Sequence, residues 1–113
     1  MVNRGAVILK YKEPFVRWIN EADPIKGKSE ITMSHANEDR TVYLITDADA
    51  ENVGKWIRKN HVALFENELG GWYNDETLWP GNRDYKTFKE WFEVECHSVI
   101  TDTVGGEIYD DEI

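Results

Sequence analysis

A nearly unbroken apolar run close to the start of the chain constrains the fold more than any other feature. Residues Gly5 to Tyr11 read GAVILKY, with Lys10 as the one charged side chain. The run is short enough to be a single strand, and its apolar character predicts that the strand is buried. A buried strand needs other strands beside it and helices packed on the sheet.

The residues after this run predict one helix and two strands. Apolar side chains at helical spacing follow Pro14, which the first turn of a helix tolerates, and Asp23-Pro24 ends the pattern. Residues 31–35 alternate between apolar and polar side chains, as a half-buried strand does. After a polar turn, residues 41–46 predict the second strand of a hairpin.

The second half of the chain predicts two helices and a last strand. The longest helix is expected from Asp47 to Leu69, with Thr46 or Asp47 as its N-cap and Gly70-Gly71 as its end. Aromatic side chains at helical spacing predict a shorter helix over residues 85–92. Glu93 to Thr103 is predicted to be the last strand.

The resulting order, β-α-β-β-α-(α)-β with one extra short helix, predicts an α+β fold. It is the order of a ferredoxin-like sandwich, in which one antiparallel sheet carries helices on one face. In that arrangement the last strand pairs with the first and lies at the edge of the sheet. No linker or repeat interrupts the chain, so residues 1–113 are predicted to form one domain, with a frayed acidic tail over residues 105–113.

The charge of the chain limits its partners. The net charge is −9, yet 12% of the residues are aromatic, so the chain is expected to fold. Seven Lys or Arg against six Asp or Glu precede residue 47, and six against sixteen follow. Such an excess of acid disfavours nucleic acid and permits a basic protein partner. Cys96 is the single cysteine, and no apolar run approaches the ~18 residues of a membrane span, so a cytoplasmic location is predicted.

The segment from Gly70 to Arg83 is the most unusual part of the sequence. It places aromatic rings among polar residues at a length where structureless connections are uncommon and often functional. The residues predicted to bind a partner are Trp72, Tyr73, Asp75, Glu76, Trp79 and Asp84. The alternative is that Trp72, Leu78 and Trp79 fold back as a lid over the core.

The last predicted strand carries a row of polar side chains, Glu93, Glu95 and His97, on one face. Ligands along one strand are about 6.5 Å apart and do not converge on a metal ion, so no metal or cofactor is predicted. Cys96 lies on the opposite face from His97, which excludes a Cys–His nucleophile. With Val94 it is predicted to be buried.

Two segments, Tyr11–Ile19 (YKEPFVRWI) and Trp91–Ser98 (WFEVECHS), resemble a family of small acidic bacterial proteins with no assigned activity. The resemblance implies a bacterial cytosolic protein and supplies no mechanism.

Three functions remain open from the sequence. The first is a non-enzymatic cytosolic binding module for a protein partner. The second is an acidic inhibitor or immunity-type protein that blocks a basic toxin or nuclease, for which the uneven charge is the support. The third is a small hydrolase-like enzyme that uses Glu95, His97 and an acid from residues 70–83, although no convergent set of nucleophile, base and orienting group can be identified.

Overall fold

The structure, a computed structural model, describes residues 2–23 and 29–109. In chain order its elements are β1 (Arg4–Tyr11), α1 (Glu13–Ala22), α2 (Met33–Ala36), β2 (Val42–Thr46), α3 (Asp47–Glu51), α4 (Val53–Trp72), a 3₁₀ turn (Glu76–Leu78), α5 (Tyr85–Trp91) and β3 (Phe92–His97). Within these ranges no helix has the length and apolar character needed to cross a bilayer. The predicted α+β class is confirmed.

The three strands form one antiparallel sheet in the order β2-β1-β3. The apolar run is the central strand, as its composition predicts. Val7 lies opposite Tyr43 on one side and opposite Cys96 on the other. The last strand pairs with the first and lies at the edge of the sheet, so this prediction is confirmed.

The predicted strand over residues 31–35 is wrong, because this segment contains the short helix α2. Its alternation has a different cause: the Thr32 hydroxyl accepts a hydrogen bond from the His35 amide (3.1 Å) and caps the helix. Asn37 then anchors the end of α2 to β1 beyond the last β1–β2 pair, since its side chain binds both the amide (2.8 Å) and the carbonyl (3.1 Å) of Tyr11. The four-stranded ferredoxin-like arrangement is therefore not found in the described residues, where the sheet has three strands.

The long helix predicted from Asp47 to Leu69 is two helices, with a break at Asn52 (φ −136°, ψ 56°). The break lets α3 lie directly on β1: a methyl group added to Gly5 would come within 2.5 Å of the Ala50 side chain. The predicted cap is confirmed, because the Thr46 hydroxyl accepts from the Asp49 amide at 3.1 Å.

The predicted end of the long helix at Gly70-Gly71 is also wrong, since α4 continues to Trp72. The Trp72 indole donates a hydrogen bond to the hydroxyl of Tyr11 (3.0 Å), and the Trp79 ring lies over Gly70. These tertiary contacts outweigh the low helix propensity of two glycines.

The core lies on one face of the sheet. Its largest fully buried side chains are Val7, Leu9, Phe15, Ile19, Phe65, Leu69 and Phe88. On the other face Val42 and Leu44 are about half exposed. β3 ends at His97, earlier than predicted, and residues 105–109 are exposed without regular structure. The frayed tail stays a prediction, because residues 110–113 lie outside the described residues.

Candidate functional site

The predicted aromatic segment packs on the core. Besides the bond from Trp72 to Tyr11, the Tyr73 hydroxyl donates to the carbonyl of Ile19 (2.6 Å) and the Trp79 indole donates to the carbonyl of Tyr73 (2.8 Å). All three rings are half-buried against the core cluster. Each polar atom of these rings therefore has a partner inside the protein, as the lid hypothesis expects.

The three acids predicted to bind a partner, in this segment and directly after it, are exposed, and two of them cap short helices. Asp75 accepts from the amide (3.0 Å) and the hydroxyl (2.6 Å) of Thr77, and Asp84 accepts from the Thr87 amide (2.8 Å). These hydrogen bonds hold the pKa of both carboxyls below the usual range. Glu76 lies in the 3₁₀ turn. A partner-binding role for these six residues stays a prediction.

The polar row on β3 forms ion pairs with its neighbours. The Glu95 carboxylate lies 3.5 Å from the His97 ring nitrogen and 3.3 Å from the Arg40 guanidinium. The hydrogen bond with His97, and then the one with Arg40, lowers the pKa of Glu95. Glu93 lies 4.0 Å from the amine of Lys10. Within residues 2–23 and 29–109, no three His, Cys, Asp or Glu side chains are placed to hold a metal ion.

A groove that the sequence does not predict lies between β3, α4 and α5, with a volume of about 570 Å³. Ile57, Phe88 and Phe92 are its buried apolar residues. Val53, Gly54, Val94 and Cys96 also line it, together with Lys12, Tyr85, Lys89 and Glu93. The prediction that Val94 and Cys96 are buried is wrong: Val94 is 37% exposed and Cys96 half-buried, because the groove separates them from parts of α4 and α5.

Within residues 2–23 and 29–109, no strand pairs with the outer edge of β3, which runs beside this groove. The Lys12 amide donates to the carbonyl of Trp91 (2.8 Å), and in an antiparallel pair such bonded positions alternate. The bonded residues of β3 are therefore Glu93, Glu95 and His97, while the amides and carbonyls of Val94 and Cys96 point away from β1. Val94 and Cys96 lie opposite Leu9 and Val7, so their side chains are on the core face, where the groove is.

Cations surround the groove although the chain is acidic. The Tyr85 ring lies 4.7 Å from the amine of Lys89 and 5.1 Å from the guanidinium carbon of Arg58. The amine of Lys12 donates to the carbonyl of Lys89 at 3.1 Å. The one acid lining the groove, Glu93, already lies near Lys10. The groove therefore combines an apolar interior with a locally basic rim.

A separate polar cluster joins β1, β2 and α4 around Glu68, which is only 5% exposed. The hydroxyls of Tyr11 (2.7 Å) and Tyr43 each donate to one oxygen of this carboxyl group. Asn67 donates to the Tyr43 hydroxyl at 2.8 Å. Burial, and then the adjacent Glu68, raises the pKa of both tyrosines above the usual range. The cluster lies among packed elements and stabilises the fold.

Because the pKa of Tyr11 and Tyr43 is raised on folding, we expect the protein to lose stability in alkaline solution. Tyrosines of the unfolded chain lose their protons near pH ~10, whereas these two keep theirs in the folded state, so rising pH favours unfolding. When the pH is raised from about 9 to about 11, the melting temperature should decrease less in Tyr43→Phe than in the wild type. The exposed Tyr109→Phe is the control and should follow the wild type. An equal fall in all three proteins would contradict the prediction.

No protein-family model, curated protein or solved structure matches this chain. The resemblance of Tyr11–Ile19 and Trp91–Ser98 to small acidic bacterial proteins therefore stays a prediction, as does the cytoplasmic location. The function has to be inferred from the chemistry of the surfaces described above.

Proposed function

We propose that this protein is a non-enzymatic binding module, and that it holds an extended segment of a protein partner against the free edge of β3. The observation that carries the proposal is the position of that edge, which borders an apolar groove. Free strand edges are usually shortened, covered or charged to prevent association. Here the side chains next to the edge on the groove face are Val94 and Cys96, which are uncharged.

The edge and the groove supply two different parts of the binding energy. The amides and carbonyls of Val94 and Cys96 hydrogen-bond the backbone of the incoming segment, as in other complexes formed by strand addition. Every second side chain of that segment then enters the groove and packs on Val53, Val94 and Cys96, which line it and are partly exposed. The backbone bonds provide affinity for any extended segment, and the groove selects its side chains.

The two alternatives have less support. The acidic-inhibitor hypothesis relies on an exposed acidic surface, for which Asp75, Glu76 and Asp84 are the candidates, but two of these carboxyls already cap helices. The enzyme hypothesis relies on Glu95 and His97, but the Glu95 carboxylate is already held by the Arg40 guanidinium (3.3 Å) and contacts the His97 ring (3.5 Å).

The test is a selection of displayed random peptides on the purified wild-type protein, followed by measurement of Kd for the selected peptides by fluorescence anisotropy. We expect Val94→Asp to weaken their binding by about tenfold or more, because the new carboxylate must be desolvated when a segment fills the groove. Bound peptide should also slow the alkylation of Cys96, which lines the same groove.

The matched control is Val42→Asp, a valine on the opposite face of the sheet that is 52% exposed. It introduces the same charge into an edge strand and is expected to leave Kd unchanged. Melting temperatures of both variants show that they are folded. The proposal is wrong if selection yields no binding peptide, or if Val42→Asp weakens binding as much as Val94→Asp does.

A further inference from the structure

The sign of the charge around the groove is opposite to that of the whole chain. The protein has 22 acids and 13 basic residues, which gives the net charge of −9. Among the described residues that line the groove, however, Lys12 and Lys89 stand against the single acid Glu93, and Arg58 lies over the ring of Tyr85, another lining residue. In a chain with so many carboxylates, cations that gather at one apolar cavity indicate what the cavity binds.

The three cations have no carboxylate partner within the described residues, where the ion pairs involve Lys10, Arg17, Arg40, Arg83 and His97. Lys89 and Arg58 instead lie against the Tyr85 ring, and Lys12 binds a backbone carbonyl. Glu93 lies beside Lys10, which partly neutralises it. The α5 side of the groove therefore presents cations that remain available to an incoming carboxylate.

Attraction between opposite charges favours a carboxylate on the groove side of the bound segment. An extended segment on β3 directs alternate side chains to the groove and to the opposite face, where Glu93, Glu95 and His97 stand. On the opposite face Lys10 and Arg40 are already paired with Glu93 and Glu95, whereas Lys12 and Lys89 beside the groove have no carboxylate partner among the described residues. The charges thus distinguish the two faces of the segment.

We infer that the occupant of the groove is an acidic extended segment of a partner protein, with a Glu or Asp next to its apolar side chains on the face that enters the groove. The inference rests on the proposed function and adds the chemistry of the partner. The three cations would attract the acidic segment and increase its rate of association. In the complex its carboxylate would lose water but form an ion pair with a cation of the groove.

The probes are three short fluorescent peptides with amidated ends, in which Val alternates with Ser. They differ only at the last groove-facing position, which is Glu, Gln or Lys. With the full-length wild-type protein, the Glu peptide is expected to bind about tenfold more tightly than the Gln peptide at low salt. The difference should decrease at high salt, since partly exposed charges are screened.

Charge reversal of the rim tests the assignment to the groove. In Lys12→Glu/Lys89→Glu the order of the peptides should reverse, so that the Lys peptide binds best. The control is Lys55→Glu/Lys59→Glu, which changes the net charge equally at a separate depression beside Trp56 and should keep the wild-type order. Melting temperatures confirm that both variants are folded.

The outcomes separate this inference from the proposed function. Equal binding of the three peptides, or a preference for Lys, overturns the acidic partner and leaves the groove as a binding site. Absence of binding by every peptide, including those selected from the library, overturns both. Self-association of the wild-type protein that the rim variant abolishes would also overturn the inference, because the occupant would then be a second copy, whose own Glu107-Ile108-Tyr109 segment is exposed and combines an acid with apolar side chains.

Discussion

Phe65→Ala is expected to lower the free energy of unfolding by about 3–5 kcal/mol, which is the usual loss for a buried phenylalanine. The Phe65 side chain is fully buried, and its ring centroid lies 5.3 Å from that of Trp91 and 5.2 Å from that of Phe92. The ring therefore joins α4 to both α5 and β3. Small domains have about 5–15 kcal/mol of stability in total, so a large part of the molecules should unfold near physiological temperature.

Urea unfolding followed by far-ultraviolet circular dichroism and by tryptophan fluorescence measures this loss. The matched control is Val62→Ala on the same helix, where the side chain is 45% exposed and a loss below about 1 kcal/mol is expected. If residues 1–113 form one domain, both signals should shift together in Phe65→Ala. Separate transitions for the two signals, or equal losses in the two variants, would contradict the prediction.

The parts of the fold that the sequence predicts are those that local chemistry determines. The apolar run ending at Tyr11 determines the central strand, Pro14 lies in the first turn of α1, and the Thr46 hydroxyl caps the helix that follows β2. The errors occur where tertiary contacts override local preference. Asn37 anchors the end of α2 to the backbone of β1, and Trp72 extends α4 by binding Tyr11.

The sequence does not predict the groove, because the residues that line it are far apart along the chain. Lys12 follows β1, Val53 and Ile57 belong to α4, and Lys89 belongs to α5. The pattern of β3 reveals which residues share a face, but it does not reveal that a groove leaves Val94 partly exposed. The net charge does not predict the partner of the groove either. An excess of acid over the whole surface favours a basic partner, whereas the rim of this groove is basic.

The aromatic segment shows how composition alone leaves a choice between core and interface. Tryptophan and tyrosine suit both locations, because each has a large apolar ring and one polar atom that needs a partner. In the folded protein the partners of Trp72, Tyr73 and Trp79 are the hydroxyl of Tyr11 and backbone carbonyls. Those partners lie far away in the sequence, so only the folded structure distinguishes the two locations.

The buried carboxyl group of Glu68 predicts the other large effect. Within the described residues, Glu68 is the one charged residue whose side chain is buried. Its two carboxyl oxygens accept hydrogen bonds from the hydroxyls of Tyr11 and Tyr43. Removal of the carboxyl group leaves both hydroxyls without their acceptor. A buried polar group without a partner costs about 1–3 kcal/mol, and the lost side-chain volume adds to this cost.

Glu68→Ala is therefore expected to lower the free energy of unfolding by about 3 kcal/mol, measured by urea unfolding at neutral pH. Glu68→Gln keeps the volume and one acceptor, so we expect it to lose less than half as much. In the double variant with Tyr43→Phe the losses should not add, because the two changes remove the same hydrogen bond. Strict additivity, or equal losses in Glu68→Ala and Glu68→Gln, would show that the hydroxyls find other partners and that the carboxyl group does not join β1 and β2 to α4.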